Sequence, residues 1–351
     1  MRVYLVLTGG AALVPMIEID GSMGEGGGQI VRTALSLALL RRQPFRMTNI
    51  RAGRDPSGLR PQHKTAIEAA ANIGSAQVSG ATVGSTTLSF VPEDLHPGTY
   101  HFDVGTAGSA VLVLQTVLPP LLTAPRSSRV TVVGGTHVRS APPFEYLTET
   151  VLPLLERMGA VCRAQMDRPG FYPKGGGQCS VDVTPVPQLD PLHLLDRGAE
   201  QRRRARVLLA NLPRHIADRE LKTLREHLPG GVDEERIDTP SALGAGNAVL
   251  IELHFEHVTE VVSVIGEKGR PAESVAQEAA QMAREYLEVD APVGSHLADQ
   301  LLLPLVQGGG QFRTSTLTPH AHTNAAVIGQ FMNDRLSIRK DNGSWVVAAS
   351  P

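Results

Sequence analysis

Cysteine is nearly missing from the chain: Cys162 and Cys179 are the only two in 351 residues. With no close Cys or His partner spacing, they exclude a disulfide framework and a zinc knuckle, and two reduced thiols suit a cytoplasmic protein. No apolar run is long enough to span a bilayer. Neither sign of charge dominates either, since 33 Lys and Arg face 35 Asp and Glu for a formal charge of −2. That excludes a generic polyelectrolyte binder, so any nucleic-acid contact needs a local patch. What is present, 42% hydrophobic and 19% charged residues, specifies a globular chain with volume for two or three domains.

The opening MRVYLVLTGGAALVP faintly resembles a signal peptide but lacks an A-x-A cleavage site and runs straight into a strand. Met16 starts a more natural opening, so residues 1–15 are read as an N-terminal extension. From there one pattern returns. MIEID predicts a strand, GGGQIVRTALSLALLRR a helix entered from a glycine loop, FRMTNI a strand and RPQHKTAIEAAANIG a helix; SAQVSGA and STTLSFV are two further strands. The order is βαβαββ. A second copy runs from YHFDVG to GQCSVDVTPV. A third closes the chain through HLADQLLLPLV, QFRTSTL, HTNAAVIGQFM, RLSIRK and SWVVAAS. Between copies two and three lies a stretch rich in Arg, Glu and His, including QRRRARVLLANL, which reads as a small α/β insert whose basic run either touches nucleic acid or is solvated. The expected domains are therefore 16–187 for copies one and two, 188–288 for the insert and 289–351 for copy three. GGGQ recurs at 26–29, 175–178 and 308–311 in differing contexts, which marks turn chemistry.

Five features offer chemistry. GEGGGQIVRTA places glycines before a helix, a tight turn or an anion cradle, with Glu25 able to hold a divalent ion beside a phosphate. It is neither a P-loop nor a dinucleotide fingerprint. IRAGRDPSGLRPQHK gathers Arg51, Arg54, Arg60, His63 and Lys64 in a loop rich in Gly and Pro, either solvated or phosphate-binding. In the apolar helix SAVLVLQTVLPPLL, the amide of Gln115 must find backbone partners or line a ligand pocket. HLADQ puts Asp299 in the first turn of a helix, as a cap or a site carboxylate. Finally, TLTPHAHTNAAV carries two histidines. Residues two apart on a helix point about 200° from each other, so His320 and His322 share a metal only if the segment is extended. Thr318 as N-cap and Pro319 at the first position predict a helix with His320 in its first turn. Asn324, one turn on, can then orient His320. The helix dipole there favours neutral imidazole and attracts phosphate, as a nucleophilic histidine requires.

From Met16 onward these stretches together resemble the RNA 3′-terminal phosphate cyclase family, in its catalytic branch. The similarity is carried by DGSMGEGGGQIVRTALSLA, IRAGRDPSGLRPQH, TAGSAVLVLQTVLP, RPGFYPKGGGQ, HLADQLLLP and TPHAHTN. The resemblance implies a mixed α/β fold of three βαβαββ units, like the C-terminal domain of a translation initiation factor, plus the insert. It implies ATP-dependent conversion of an RNA 3′-phosphate to a 2′,3′-cyclic phosphate, with Mg²⁺ or Mn²⁺, through histidine–AMP and RNA(3′)pp(5′)A intermediates. His320 is then the nucleophile. Gln115, Pro142, His296, Leu297, Ala298, Asp299 and Gln300 are the expected ATP contacts, and Glu25 with Asp299 the metal carboxylates. Arg32, Arg51, Arg54 and His63 match positions associated with phosphate or RNA. His296 stands where relatives often carry Tyr, which bears on adenine stacking, and the turn at QGGGQF is shortened. Two other readings stand beside it: a cyclase-like scaffold of ribosome assembly, which shares the fold but lacks the nucleophile, and an enolpyruvyl transferase, whose domains use a related repeated unit and which needs its own Lys and Arg motifs.

Overall fold

The structure, a computed structural model, describes residues 5–7, 13–341 and 343–350. Within the expected extension, β1 (Leu5–Leu7) pairs antiparallel with β2 (Leu13–Pro15). The first repeat follows as β3 (Ile17–Asp20), α1 (Gln29–Arg41), β4 (Phe45–Thr48), α2 (Pro61–Ile73), β5 (Gln77–Ser79) and β6 (Leu88–Val91). The second is β7 (Thr99–Asp103), α3 (Ala110–Leu121), β8 (Ser128–Gly134), α4 (Leu152–Arg157), β9 (Val161–Arg168) and β10 (Gly177–Thr184). A wide π-type turn, Tyr146–Val151, leads directly into α4.

Both sheets have the same order, β3-β4-β6-β5 and β7-β8-β10-β9. In each, the two strands joined by the first helix run parallel and the remaining neighbours antiparallel. A helical crossover permits parallel pairing where a tight turn would not. The mixed α/β architecture is as expected.

The third sheet shows where the sequence reading of boundaries needs correction. It has the order β11-β16-β18-β17, formed by β11 (Leu192–Leu194) and, much later in the chain, β16 (Gly310–Thr314), β17 (Leu336–Asp341) and β18 (Ser344–Ala349). Leu192 pairs in parallel with Gly310 and Leu194 with Phe312. The first strand of repeat three thus lies inside the stretch 188–288, and the other α/β elements sit in the connection after it. Those elements are β12 (Glu200–Ala210), α5 (His215–His227), β13 (Glu234–Asp238), β14 (Gly246–Phe255), β15 (Thr259–Ile265) and α6 (Ala272–Leu287). They form their own sheet, β13-β12-β14-β15, and then α7 (Ser295–Gly308) and α8 (Pro319–Phe331) return to repeat three.

Helices make the centre. α1 packs against α2, α3 and α8, and α7 against α8. Ile30, Val31, Leu35, Leu37 and Leu39 of α1 are fully buried, each contributing about 1.5–3 kcal/mol relative to exposure. In α3 every residue but Gln115 is buried, as its nearly continuous apolar sequence predicts. The functional candidates ride on the ends and inner faces of these helices.

Candidate active site

His320 is placed by its helix start. The Thr318 side chain accepts the Ala321 N–H at 3.1 Å, and Pro319 occupies the first helical position, where no N–H is needed. The half-exposed imidazole then points back to the glycine loop before α1, where its Nδ1 meets the Glu25 carboxylate. Glu25 is itself fixed. Its backbone N–H donates to Thr323 Oγ1 at 3.1 Å, and the Arg54 guanidinium donates to its Oε1 at 2.7 Å. Thr323 Oγ1 in turn donates to Pro319 O at 2.7 Å. The close approach needs glycine: at Gly24 φ is +54°, and a Cβ there would collide with Thr323 Oγ1.

The expectation that Asn324 orients His320 needs correction. Its amide is occupied elsewhere: Nδ2 donates to Asp299 Oδ1, and Oδ1 accepts from Thr33 Oγ1 at 2.8 Å. The i, i+4 spacing puts Asn324 on the right face, but α1 and α7 flank that face and claim the amide. Glu25 holds His320 instead.

Behind this pair α1, α3, α7 and α8 enclose a cavity with about 690 Å³ of empty space, counting its open mouth. Gln29, Arg32, Gln115, Asp299, Gln300 and Asn324 supply its polar wall. Among the described residues, Gln115 Oε1 and Nε2 are both buried without a hydrogen-bond partner, and so is Gln29 Nε2. An unpaired buried amide costs about 1–3 kcal/mol, so these groups suit a polar ligand. Charges there are also incompletely matched. Burial pushes the Asp299 carboxyl up against the opposing pull of His320, the Asn324 amide, Arg32 and His296. Burial likewise pushes Arg32 down to about 10 although Asp299 favours its charge. Arg32 stays cationic at neutral pH and makes no ion pair among the described residues. The donor set fits a nucleotide with phosphate charge.

His63 adds a neutral donor. Burial first, then Arg32, Arg51 and Arg60, push its imidazole down to about 3. Its Nδ1 accepts the Arg60 N–H at 3.0 Å, so the ring proton lies on Nε2. That edge abuts Gly28, where a Cβ would collide with Nε2. An Nε2–H is thereby held at the start of α1, beside Arg32. Arg51 is more committed, donating to Pro56 O at 2.8 Å and Gly58 O at 2.9 Å.

Other expected residues fall outside the cavity wall. Leu297 and Ala298 are fully buried in the hydrophobic core, on the inward face of α7. His296 is exposed at the start of α7 and Pro142 is half-buried; neither lines the cavity. The structure also adds residues the sequence reading passed over. Gln29, read as part of a turn motif, is a cavity wall, and Thr33 and Thr323 hold the groups that hold the site. Their signal was proximity to GGG and to TN, which fixes no partner by itself.

The insert's basic run is resolved by register. β12 lies between β13 and β14, so Arg204 meets Glu234 and Glu252 at 3.0 Å each, Arg203 meets Glu200 at 2.5 Å, and Arg206 meets Asp238 and Glu145. These cations are already paired.

For a divalent ion, the described residues contain no group of three or more His, Cys, Asp and Glu in ligand arrangement. Glu25 and Asp299 fit only the pattern in which one or two carboxylates share an ion with substrate phosphates and water.

Comparison with known proteins places the chain in a family. The family model for RNA 3′-terminal phosphate cyclase matches residues 23–338. The chain belongs to the RNA 3′-terminal phosphate cyclase family. A relative of that name from Koribacter versatilis is 49% identical over 95% of both chains. One from Ralstonia nicotianae is 47% identical over 95% of this chain and 96% of its own, and one from Salmonella enteritidis 44% identical over 95% and 99%. The cyclase match spans Glu25, His63, Gln115, Asp299 and His320 alike, and this chain is an enzyme of that family. Among the described residues no helix is long and apolar enough to cross a membrane.

Proposed function

We propose that the protein uses ATP to convert an RNA 3′-terminal phosphate to a 2′,3′-cyclic phosphate, with His320 as nucleophile. The observation that carries this is the Glu25–His320 pair. Nδ1–H donated to the carboxylate leaves the lone pair on Nε2, the nitrogen free to attack.

In this reading Nε2 attacks the α-phosphorus of ATP. A P–N bond forms as the bond to pyrophosphate breaks, giving histidine–AMP. An oxygen of the RNA 3′-phosphate then takes the adenylyl group, releasing His320 and forming RNA(3′)pp(5′)A. The adjacent 2′-OH attacks the 3′-phosphorus, loses its proton, and expels AMP. That last closure is intramolecular, so positioning supplies much of its rate. The unpartnered amides of Gln115 and Gln29 receive the nucleotide. Exposed His296 and half-buried Pro142, outside the cavity wall, flank the base, and Gln300 meets it from the cavity. Arg32, Arg51, Arg54 and the His63 Nε2–H stabilise charge on transferring phosphates or hold the RNA end. Mg²⁺ or Mn²⁺, held by Glu25 and Asp299, would neutralise charge on the polyphosphate. Leu297 and Ala298 act through the core, by fixing α7.

The test uses ATP labelled at the α-phosphate, with Mg²⁺. The expected result is protein-bound AMP through an acid-labile, alkali-stable bond, lost in His320→Ala. Added RNA with a 3′-phosphate should discharge it as cyclic phosphate, and RNA with a 3′-OH should not. Full labelling of His320→Ala would overturn the assignment. No labelling of the unaltered protein would favour the scaffold reading.

A further inference from the structure

A second groove starts at Glu25, the partner of His320, and runs along the side of α8 away from the cavity. Met23, Gly24 and Glu25 form one wall, and Pro319, His322, Thr323 and Ala326 the other. His322, on the face of α8 turned away from His320, is exposed, and its ring meets Trp345 edge-on with centroids 6.1 Å apart. Trp345 is the only tryptophan of the chain. It sits half-buried on β18 directly opposite Lys340 of β17, whose ammonium lies 5.1 Å from the centre of its ring. None of these three side chains takes part in the nucleotide cavity or the His320 network.

We propose that this groove binds the unpaired bases of single-stranded RNA just upstream of its terminal phosphate. Trp345 and His322 form the stacking corner, and Lys340 takes a backbone phosphate. The inference rests on the cyclase reading and extends it to substrate recognition. Three observations select this occupant. The groove is continuous with Glu25 and so with the reacting centre, and the intervening helix is only about 10 Å wide with its side chains. Its acidic wall residue is already matched by Arg54 and His320, and the nearby Asp341 pairs with Arg339 at 3.5 Å, so little negative charge opposes a phosphodiester chain. Aromatic rings with a cation beside them, as Trp345 has in Lys340, are what unstacked bases bind, largely without regard to sequence.

Because Trp345 is unique, its fluorescence reports this corner directly. Titration with a short 3′-phosphorylated single-stranded RNA should quench it saturably. Trp345→Ala should raise KM for that RNA on the order of tenfold, the scale of one stacked base, and Trp345→Phe should restore most of it. Lys340→Ala should flatten the salt dependence of RNA binding. Cyclisation of the RNA by the unaltered protein with no change in fluorescence, together with an unchanged KM in Trp345→Ala, would overturn the proposal. If the unaltered protein makes no cyclic phosphate from any RNA, the cyclase reading fails; the fluorescence titration still decides whether RNA bases reach Trp345.

Discussion

Two arginine-rich segments of similar composition end in opposite circumstances. In the loop 50–64, Arg51 and Arg60 lack carboxylate partners among the described residues, and they stand with Arg32 around a neutral His63. In β12, Arg203, Arg204 and Arg206 each meet at least one carboxylate of the same or a neighbouring strand. Matched charge holds a sheet together, whereas unmatched charge beside an empty polar wall is prepared for an anion. Sequence composition cannot separate the two, because Glu234 and Glu252 lie far along the chain and only the β-ladder brings them to Arg204.

The sharpest break of this contrast is Arg32→Ala. It should lower the cyclisation rate about 10²–10³-fold, the range for removing one preorganised charge-stabilising donor. Thermal stability should hold or rise, since burial already opposes that charge. Arg204→Met should do the reverse. It leaves the fully buried Glu252 carboxylate with only His254 Nε2, at 3.1 Å, and should cost about 2 kcal/mol, less than a deeply buried pair because Arg204 keeps some solvent. Activity per folded molecule should be unchanged. Denaturant melts and steady-state rates on the same samples check both.

The regions should also separate by pH. His63 is held near 3 when folded against 6.5 unfolded, so the folded state binds fewer protons between those values, and stability falls as pH drops from 6.5 toward 3. Glu260 is buried on β15 and raised to about 8, and Glu220 on α5 to about 7, in both cases first by burial. Their folded forms keep protons the unfolded chain has lost, so stability falls as pH rises from 4.5 toward 8. His63→Gln should blunt the acid arm, and Glu260→Gln should raise Tm by a few degrees at pH 8.5 with little effect at pH 5. Tm profiles of the three proteins would refute this if the arms did not move separately. The smallest effect is expected at Lys64, which lies in the basic loop but pairs with Glu68 at 2.6 Å on an exposed helix turn. Lys64→Ala should change stability by less than about 0.5 kcal/mol and leave turnover intact.

Much of the molecule was legible because its signals are local. The βαβαββ order, the Thr318-Pro319 helix start and the buried stripe of α3 follow from neighbouring residues. What was missed depends on distant pairing. The three residues Leu192–Leu194 carry too little pattern to announce a strand whose partner begins at Gly310. Asn324 was on the correct face for His320, yet Asp299 and Thr33 reached it first. Gln29 looked like part of a turn until the helices closed around it.

The pairing of β11 with β16 has a consequence for synthesis. As the chain leaves the ribosome, Leu192–Leu194 emerges with no strand to join, and β12 to α6 must all follow before Gly310 appears. Closing so long a loop carries an entropic cost that local repeats one and two do not share. The first two repeats can assemble while the third waits, and α8, with His320, is the last helix delivered. On the proposed mechanism a nascent chain must reach nearly full length before it holds His320, so chains truncated ahead of α8 should form no protein-bound AMP.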